Sequence, residues 1–292
     1  GGILLFSILS MLWTPPIIWI TISSLILFIF LYKEKISFTA NIIAYGLLII
    51  LITSPLGLKQ KDIYSPYQIV SLHFGKSKIP EIQVNNIFFQ YIYDLSEENV
   101  KNNNNLIGLQ HSYNFPYIIK NKHNDVLIVG SGTGNDVAAA IRNDAKNIDA
   151  VEIDPAILEL GKVLHPESPY DSKKVNSINE DARTYIKHTK KKYDMIVYGL
   201  LDSHALLSGR SGGIRLDSYV YTVEAFKEAR NILKENGIIV ISFVYLSEGM
   251  YQKMILMLNE AFEGKKPLVI NHRLVAGDNL ENIDLSNFNK TD

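Results

Sequence analysis

The stretch "VLIVGSGTGNDVAAAI", Val126–Ile141, decides the fold. Four apolar residues in a row describe a strand covered on both faces, and the alanine-rich end describes a helix. Between them stand Gly130, Gly132 and Gly134, two apart. Glycine lets the backbone turn tightly there and approach a ligand with no Cβ in the way. The spacing G-S-G-T-G lacks the last glycine of G-x-G-x-x-G, so it favours a ligand without a pyrophosphate over a dinucleotide.

Downstream the same alternation continues. "NIDAVEID" reads as a strand and "PAILELGKVL" as a helix with proline in its first turn. "YDMIVYGLL" and "IIVISFVY" read as further strands, with the amphipathic "TVEAFKEARNILKENG" between them as a helix ending at Gly237. Such a series predicts parallel strands with right-handed crossovers, hence a doubly wound α/β sheet. In that architecture ligands lie beyond the carboxyl ends of the strands. Glu152, 18 residues after Gly134, ends the second strand and is placed to accept both hydrogen bonds of a ribose diol. Asp181, with Ala182 beside it in "NEDAR", falls at the end of the third and is placed to accept from an adenine amino group. Glycine turn, Glu152 and Asp181 in that order describe an adenosine-bearing cofactor.

Upstream the texture differs. Of 29 basic and 30 acidic residues, only Lys33, Glu34 and Lys35 fall within 1–57. Residues 16–32 and 38–58 are charge-free runs of 17 and 21 residues, and about 20 suffice to cross a bilayer core, so both are expected to be transmembrane helices. Residues 3–13 read as the end of an earlier helix broken at "TPP". The start "GGILLF" has neither methionine nor a basic n-region, the expectation being a piece of a longer membrane region. From Asp62, "YQIVSLHF" and "EIQVNNIFFQYIY" read as a small antiparallel sheet, and 96–105, "SEENVKNNNN", as a polar loop. The expected organisation is 1–58 membrane helices, 59–120 a small β-rich domain and entry segment, and 121–292 the α/β domain.

A net charge of −1 gives no positive field to attract nucleic acid. The absence of cysteine excludes disulfides, thiolate metal sites and a cysteine nucleophile. No metal is called for by any motif.

"SPYQIV" (65–70), "VNNIFFQ" (84–90), "HSYNFPYII" (111–119) and "YDMIVYGLLDSHALL" (193–207), together with the glycine turn, resemble the spermidine synthases over about residues 62–245. With the apolar start, the resemblance points to a membrane-attached branch of that family. It implies a Rossmann-like sheet of the methyltransferase type, preceded by the small β domain and the N-terminal helices. It implies transfer of an aminopropyl group from decarboxylated S-adenosylmethionine to a small-molecule amine acceptor, with no metal. Asp202 stands at the family's catalytic aspartate, while Tyr67, Gln68 and Tyr113 line the amine site by resemblance. The catalytic domain is then expected on the cytoplasmic side of the membrane, where such donors are made, and the family's habit implies a homodimer.

Two positions depart from the family. A second acid three residues before the catalytic one is replaced by Gly199, and the aspartate of the glycine turn is replaced by Thr133. Asp136, two residues beyond the turn, is the candidate substitute for the latter. These losses keep two alternatives open: methylation by intact S-adenosylmethionine on the same fold, or a catalytically silent cofactor-binding domain. Arg210 and Arg215 in the glycine-rich "SGRSGGIRLD" suggest a mobile flap. His204 beside Asp202 is no triad, since neighbours in sequence lack the geometry.

Overall fold

The computed structural model describes residues 2–33, 39, 42, 43, 45–47, 50, 61–75, 79–199, 219–242, 248–281, 283, 285 and 286. The chain divides into two compact units, Gly1–Asn86 and Ile87–Asp292.

In the first unit, helix Gly2–Met11 stops before the prolines, and Pro16 opens the next helix, Pro16–Lys33. Trp19 ties the second helix to the break, its indole N–H donating to Thr14 Oγ1 at 2.6 Å. The expectation of transmembrane helices needs correction: among the described residues no helix is long and apolar enough to cross a membrane. Pro16–Lys33 has 18 residues, about 27 Å at 1.5 Å per residue, short of a hydrocarbon core about 30 Å thick. Most of 38–58 lies outside the described residues. Strands β1 (Lys61–Tyr64), β2 (Ile69–Phe74) and β3 (Pro80–Val84) follow as an antiparallel meander, with Val70 opposite both Ile63 and Val84. Val70, Ile82 and Val84 are buried in it, as the alternation predicts.

The second unit opens with β4 (Ile87–Tyr91). The polar segment expected as a loop is instead a helix, Glu97–Asn102: Ser96 caps it by accepting from Asn99 N–H, and Glu97 and Glu98 occupy its first turn, where the helix dipole favours acids. Helix Ile107–Ile118 carries the "HSYNFPY" residues. The main sheet then has β5 (Asp125–Val129), β6 (Asn147–Glu152), β7 (Val175–Asn179), β8 (Tyr193–Tyr198), β9 (Leu233–Ser242), β10 (Leu268–Ile270) and β11 (Arg273–Gly277), in the order β10-β11-β9-β8-β5-β6-β7. Five strands are parallel; β11 runs antiparallel to β9, and β10 to β11. The sheet is therefore mixed, not purely parallel, because β10 and β11 are joined by a tight turn that permits no crossover.

Both faces are covered, as a doubly wound sheet requires. Leu127, Val129, Ile196, Ile239 and Ile241 face Ile186, Phe226 and Leu258 of helices Ala182–His188, Val223–Asn231 and Glu248–Ala261. Their alternate neighbours Val126, Ile128, Met195, Val197 and Val240 face Phe115, Ala139 and Leu158 of helices Ile107–Ile118, Asn135–Arg142 and Pro155–Leu164. One boundary differs from expectation. The helix expected to reach Gly237 ends at Asn231, and "LKENG" joins β9 through an irregularity opposite Tyr193 and Met195. Asn236, at φ 60°, turns the chain there, and a Cβ on Gly237 would lie 3.0 Å from Tyr193 O.

Candidate active site

The strand order reverses at β5: the chain passes from β5 to β6 and β7 on one side, then returns to β8 and β9 on the other. A crevice therefore opens at the carboxyl ends of β5 and β8. Gly130 follows β5, and Gly199 follows β8.

The glycine turn is held from three sides. Gly130, Gly132 and Gly134 all have positive φ, at 69°, 55° and 107°, which L side chains rarely adopt. A Cβ on Gly132 would meet Gln90 Oε1 at 2.8 Å, and one on Gly134 would meet Pro169 Cγ at 2.8 Å. From β4, Gln90 Oε1 accepts from Thr133 N–H at 3.1 Å and from its hydroxyl at 2.8 Å. From beyond the helix Pro155–Leu164, the Tyr170 hydroxyl lies 2.7 Å from Gly132 O, to which it donates, and 3.0 Å from Ser131 Oγ. Burial keeps the Tyr170 hydroxyl protonated by raising its pKa. Neither Gln90 nor Tyr170 carries a signal in the sequence that ties it to the turn. The link is tertiary, across 43 and 38 residues.

The third side is Glu152, only 6% exposed at the end of β6. Its Oε2 accepts from Gly132 N–H and its Oε1 from Asp154 N–H, both at 2.9 Å. Each carboxylate oxygen has a second lone pair, so the group keeps capacity for two further donors such as a ribose diol. Burial pushes its pKa up to about 7, against the opposing pull of the Asp154 and Gly132 N–H groups. Asp154 in turn caps the next helix through Ala156 N–H at 2.9 Å. Asn179 Nδ2 donates to Glu152 O and Ile153 O, both at 2.9 Å, fixing the ends of β6 and β7 together.

Asp181 has a local duty: it is the N-cap of Ala182–His188, its Oδ1 accepting from Thr184 N–H at 2.7 Å. Ala182 is the first residue of that helix. Asp136 lies in the first turn of Asn135–Arg142, and burial raises its pKa to about 6 while Arg142 and Arg273 pull it down. Tyr113, from helix Ile107–Ile118, accepts from Asn135 Nδ2 at 3.1 Å and meets Tyr93 edge-on at 6.5 Å between centroids. Gly130, Gly132, Gly134, Asp136, Glu152 and Tyr113 are thus gathered around the β5 end. Tyr67 and Gln68 belong to the first unit, where Ser65 Oγ accepts from both of their N–H groups at 3.2 and 3.0 Å. Asp202, His204, Arg210 and Arg215 lie outside the described residues.

Over 125 residues the chain is 29% identical to polyamine aminopropyltransferase 2 of Aquifex aeolicus (strain VF5), covering 41% of this chain and 23% of that protein. Over 129 residues it is 31% identical to the polyamine aminopropyltransferase of Buchnera aphidicola subsp. Acyrthosiphon pisum (strain Tuc7), covering 43% and 42%. The matches span less than half the length of these relatives. A spermidine synthase solved in complex with the transition state analogue AdoDATO superposes with a TM-score of 0.60 at 13% identity, covering 80% of this chain and 78% of the other, a likeness of fold. The profile of the spermine/spermidine synthase domain matches residues 110–269, more than half of the chain. That match takes in the glycine turn, Glu152, Asp181 and both flanks of the crevice, and by it the chain belongs to the spermine/spermidine synthase domain family.

Proposed function

We propose that this chain is an aminopropyltransferase, moving the aminopropyl group of decarboxylated S-adenosylmethionine to a small-molecule amine. The observation that carries the reading is Glu152: a buried carboxylate tied to the backbone of the glycine turn, with lone pairs left for a ribose diol, within a family whose relatives are named for this transfer. In the reaction the amine nitrogen attacks the propyl carbon bonded to the sulfonium sulfur. The C–N bond forms as the C–S bond breaks, and sulfur leaves as a neutral thioether with the bonding pair. No acid need protonate that leaving group. The nitrogen must lose a proton, and by resemblance Asp202 orients the amine and accepts it. Glu152 and the turn fix the adenosyl half, with Asp181 and Ala182 at the adenine end. By resemblance Tyr113 flanks the amine.

Incubating the full chain with decarboxylated or intact S-adenosylmethionine and mixed amines tests the reading through the thioether released. Methylthioadenosine is expected. S-adenosylhomocysteine instead would replace the reading with methylation, and neither product despite cofactor binding would leave a silent binding domain.

We also infer that the first unit attaches the chain to a membrane, with the second unit on the cytoplasmic side. Exposed Ile3, Leu4, Leu25 and Ile29 on its helices support this, since apolar groups so placed gain by leaving water. Flotation of the full chain with lipid vesicles is the expected result; recovery in the unbound fraction would remove the inference.

A further inference from the structure

Position 199 is a glycine buried at the end of β8, on the wall of the crevice. A Cβ built there would lie 2.8 Å from Asp136 Oδ2 and 3.6 Å from Gly130 O. The space that a side chain at 199 would enter is therefore taken by the carboxylate of Asp136, which reaches it from the facing helix. Asp136 retains some accessible surface. Among the described residues none is hydrogen-bonded to its carboxylate, although Tyr113, Tyr117, Arg142 and Arg273 are near enough for its charge to affect their ionisation or theirs to affect its own. Arg142 donates from Nη1 to Glu167 Oε1 at 2.6 Å, and Arg273 from Nη2 to Ser112 O at 3.3 Å with its guanidinium over the Phe115 ring, while Arg142 Nε and Nη2 and Arg273 Nε have no hydrogen-bond partner among the described residues. A deep carboxylate that neither arginine hydrogen-bonds, standing beside the carboxyl ends of β5 and β8, keeps its acceptor sites open to the N–H donors of a ligand cation.

We infer that Asp136 receives an ammonium group of the substrates, and that Gly199 is glycine so that this carboxylate can stand in the crevice wall. The inference rests on the aminopropyltransferase reading for the identity of the cation, since donor and acceptor of that reaction each carry a primary ammonium. An ammonium there suits the electrostatics. With no cation bound, burial lifts the carboxyl pKa to about 6, and a positive charge in contact would hold it ionised. An aspartate in the first turn of a helix also interacts with the helix dipole, so the test must separate binding from folding.

Binding by the full chain of decarboxylated S-adenosylmethionine, of a diamine and of methylthioadenosine provides that separation, because the last has the adenosyl group without an ammonium. Asp136→Asn should weaken donor or diamine binding tenfold or more and leave methylthioadenosine within twofold. Loss confined to the donor assigns the ammonium to the aminopropyl chain, and loss confined to the diamine assigns it to the acceptor; either supports the inference. Unchanged affinity for both, or an equal loss for methylthioadenosine, would overturn it. The exchange Asp136→Ala with Gly199→Asp should recover the lost affinity to within about fivefold. Failure to recover it, with methylthioadenosine still bound, would refute the shared volume. These are equilibrium readouts, so an absence of turnover would sink the proposed function while leaving the ammonium site to be judged by itself.

Discussion

Glu152 makes a prediction whose size follows from its surroundings. In the unfolded chain its carboxyl titrates near 4.5, and in the folded protein burial moves it to about 7. Between those values the folded protein holds the proton and the unfolded chain does not. Stability contributed by this group is therefore full below about pH 4.5 and declines as pH rises to about 7. At about 1.4 kcal/mol per pH unit the loss is about 3 kcal/mol. Glu152→Gln removes the titration. It also introduces a constant offset, because an amide NH2 must face one of the two backbone N–H groups, at about 1–3 kcal/mol. The offset cancels in the slope. Denaturant melts of both proteins from pH 4.5 to 7.5 should show the stability difference, wild type minus variant, shrinking by about 3 kcal/mol as pH rises. Ligand binding gives the converse. A ribose diol donating to the carboxylate favours its charged form, so an adenosine-bearing ligand should expel roughly half a proton at pH 7, where the group is about half protonated. Titration calorimetry in two buffers of different ionisation enthalpy reads this number, and the variant should expel none from this position. A difference flat across the pH range, with no proton released by the wild type, would refute both the burial argument and the assignment of Glu152 to the ligand.

Two further outcomes follow from the same geometry. Tyr170→Phe removes the hydroxyl that donates to Gly132 O, leaving a buried carbonyl without that donor at a cost of about 1–3 kcal/mol; a thermal melt should shift down by about 2–10 °C, and methylthioadenosine should bind more weakly because the turn loosens. Asp202→Asn should lower kcat about 10²- to 10⁴-fold, the usual worth of a general base, while the Kd of the adenosyl ligand stays nearly unchanged; an active variant would take the role from Asp202.

Strand and helix patterns carried most of the second unit because each element answers to local rules. Pro155 after Asp154 starts a helix wherever it is folded, and the buried runs of β5 and β8 can be read without knowing their neighbours. The misreadings arose where tertiary pairing decides. "LKENG" keeps a helical pattern, yet it pairs beside Tyr193, and the β10–β11 hairpin is too short to stand out from a loop. "SEENVKNNNN" erred in the other direction: its polarity suggested loop, but a capping serine followed by two glutamates is also a helix start, and that signal outweighed composition. In the first unit, apolar length alone implied two membrane spans, a reading that composition invites and the described helices do not meet.

The same distinction governs the site. Gly130, Gly132, Gly134 and Glu152 were legible because their positions depend on strand ends, which the sequence marks. Asp136 was legible only as an acid near the turn, with Thr133 as the place it would fill. Thr133 is occupied otherwise: it is fully buried and both its N–H and its hydroxyl are spent on Gln90, which leaves it a structural part of the turn. The place Asp136 fills is across the crevice, against Gly199, more than sixty residues away along the chain. An acid lost from one strand end and an acid gained on the facing helix look unrelated in sequence. Only the crevice between β5 and β8 brings them to one carboxylate position, so that Asp136 stands in for one of the two acids missing along the chain.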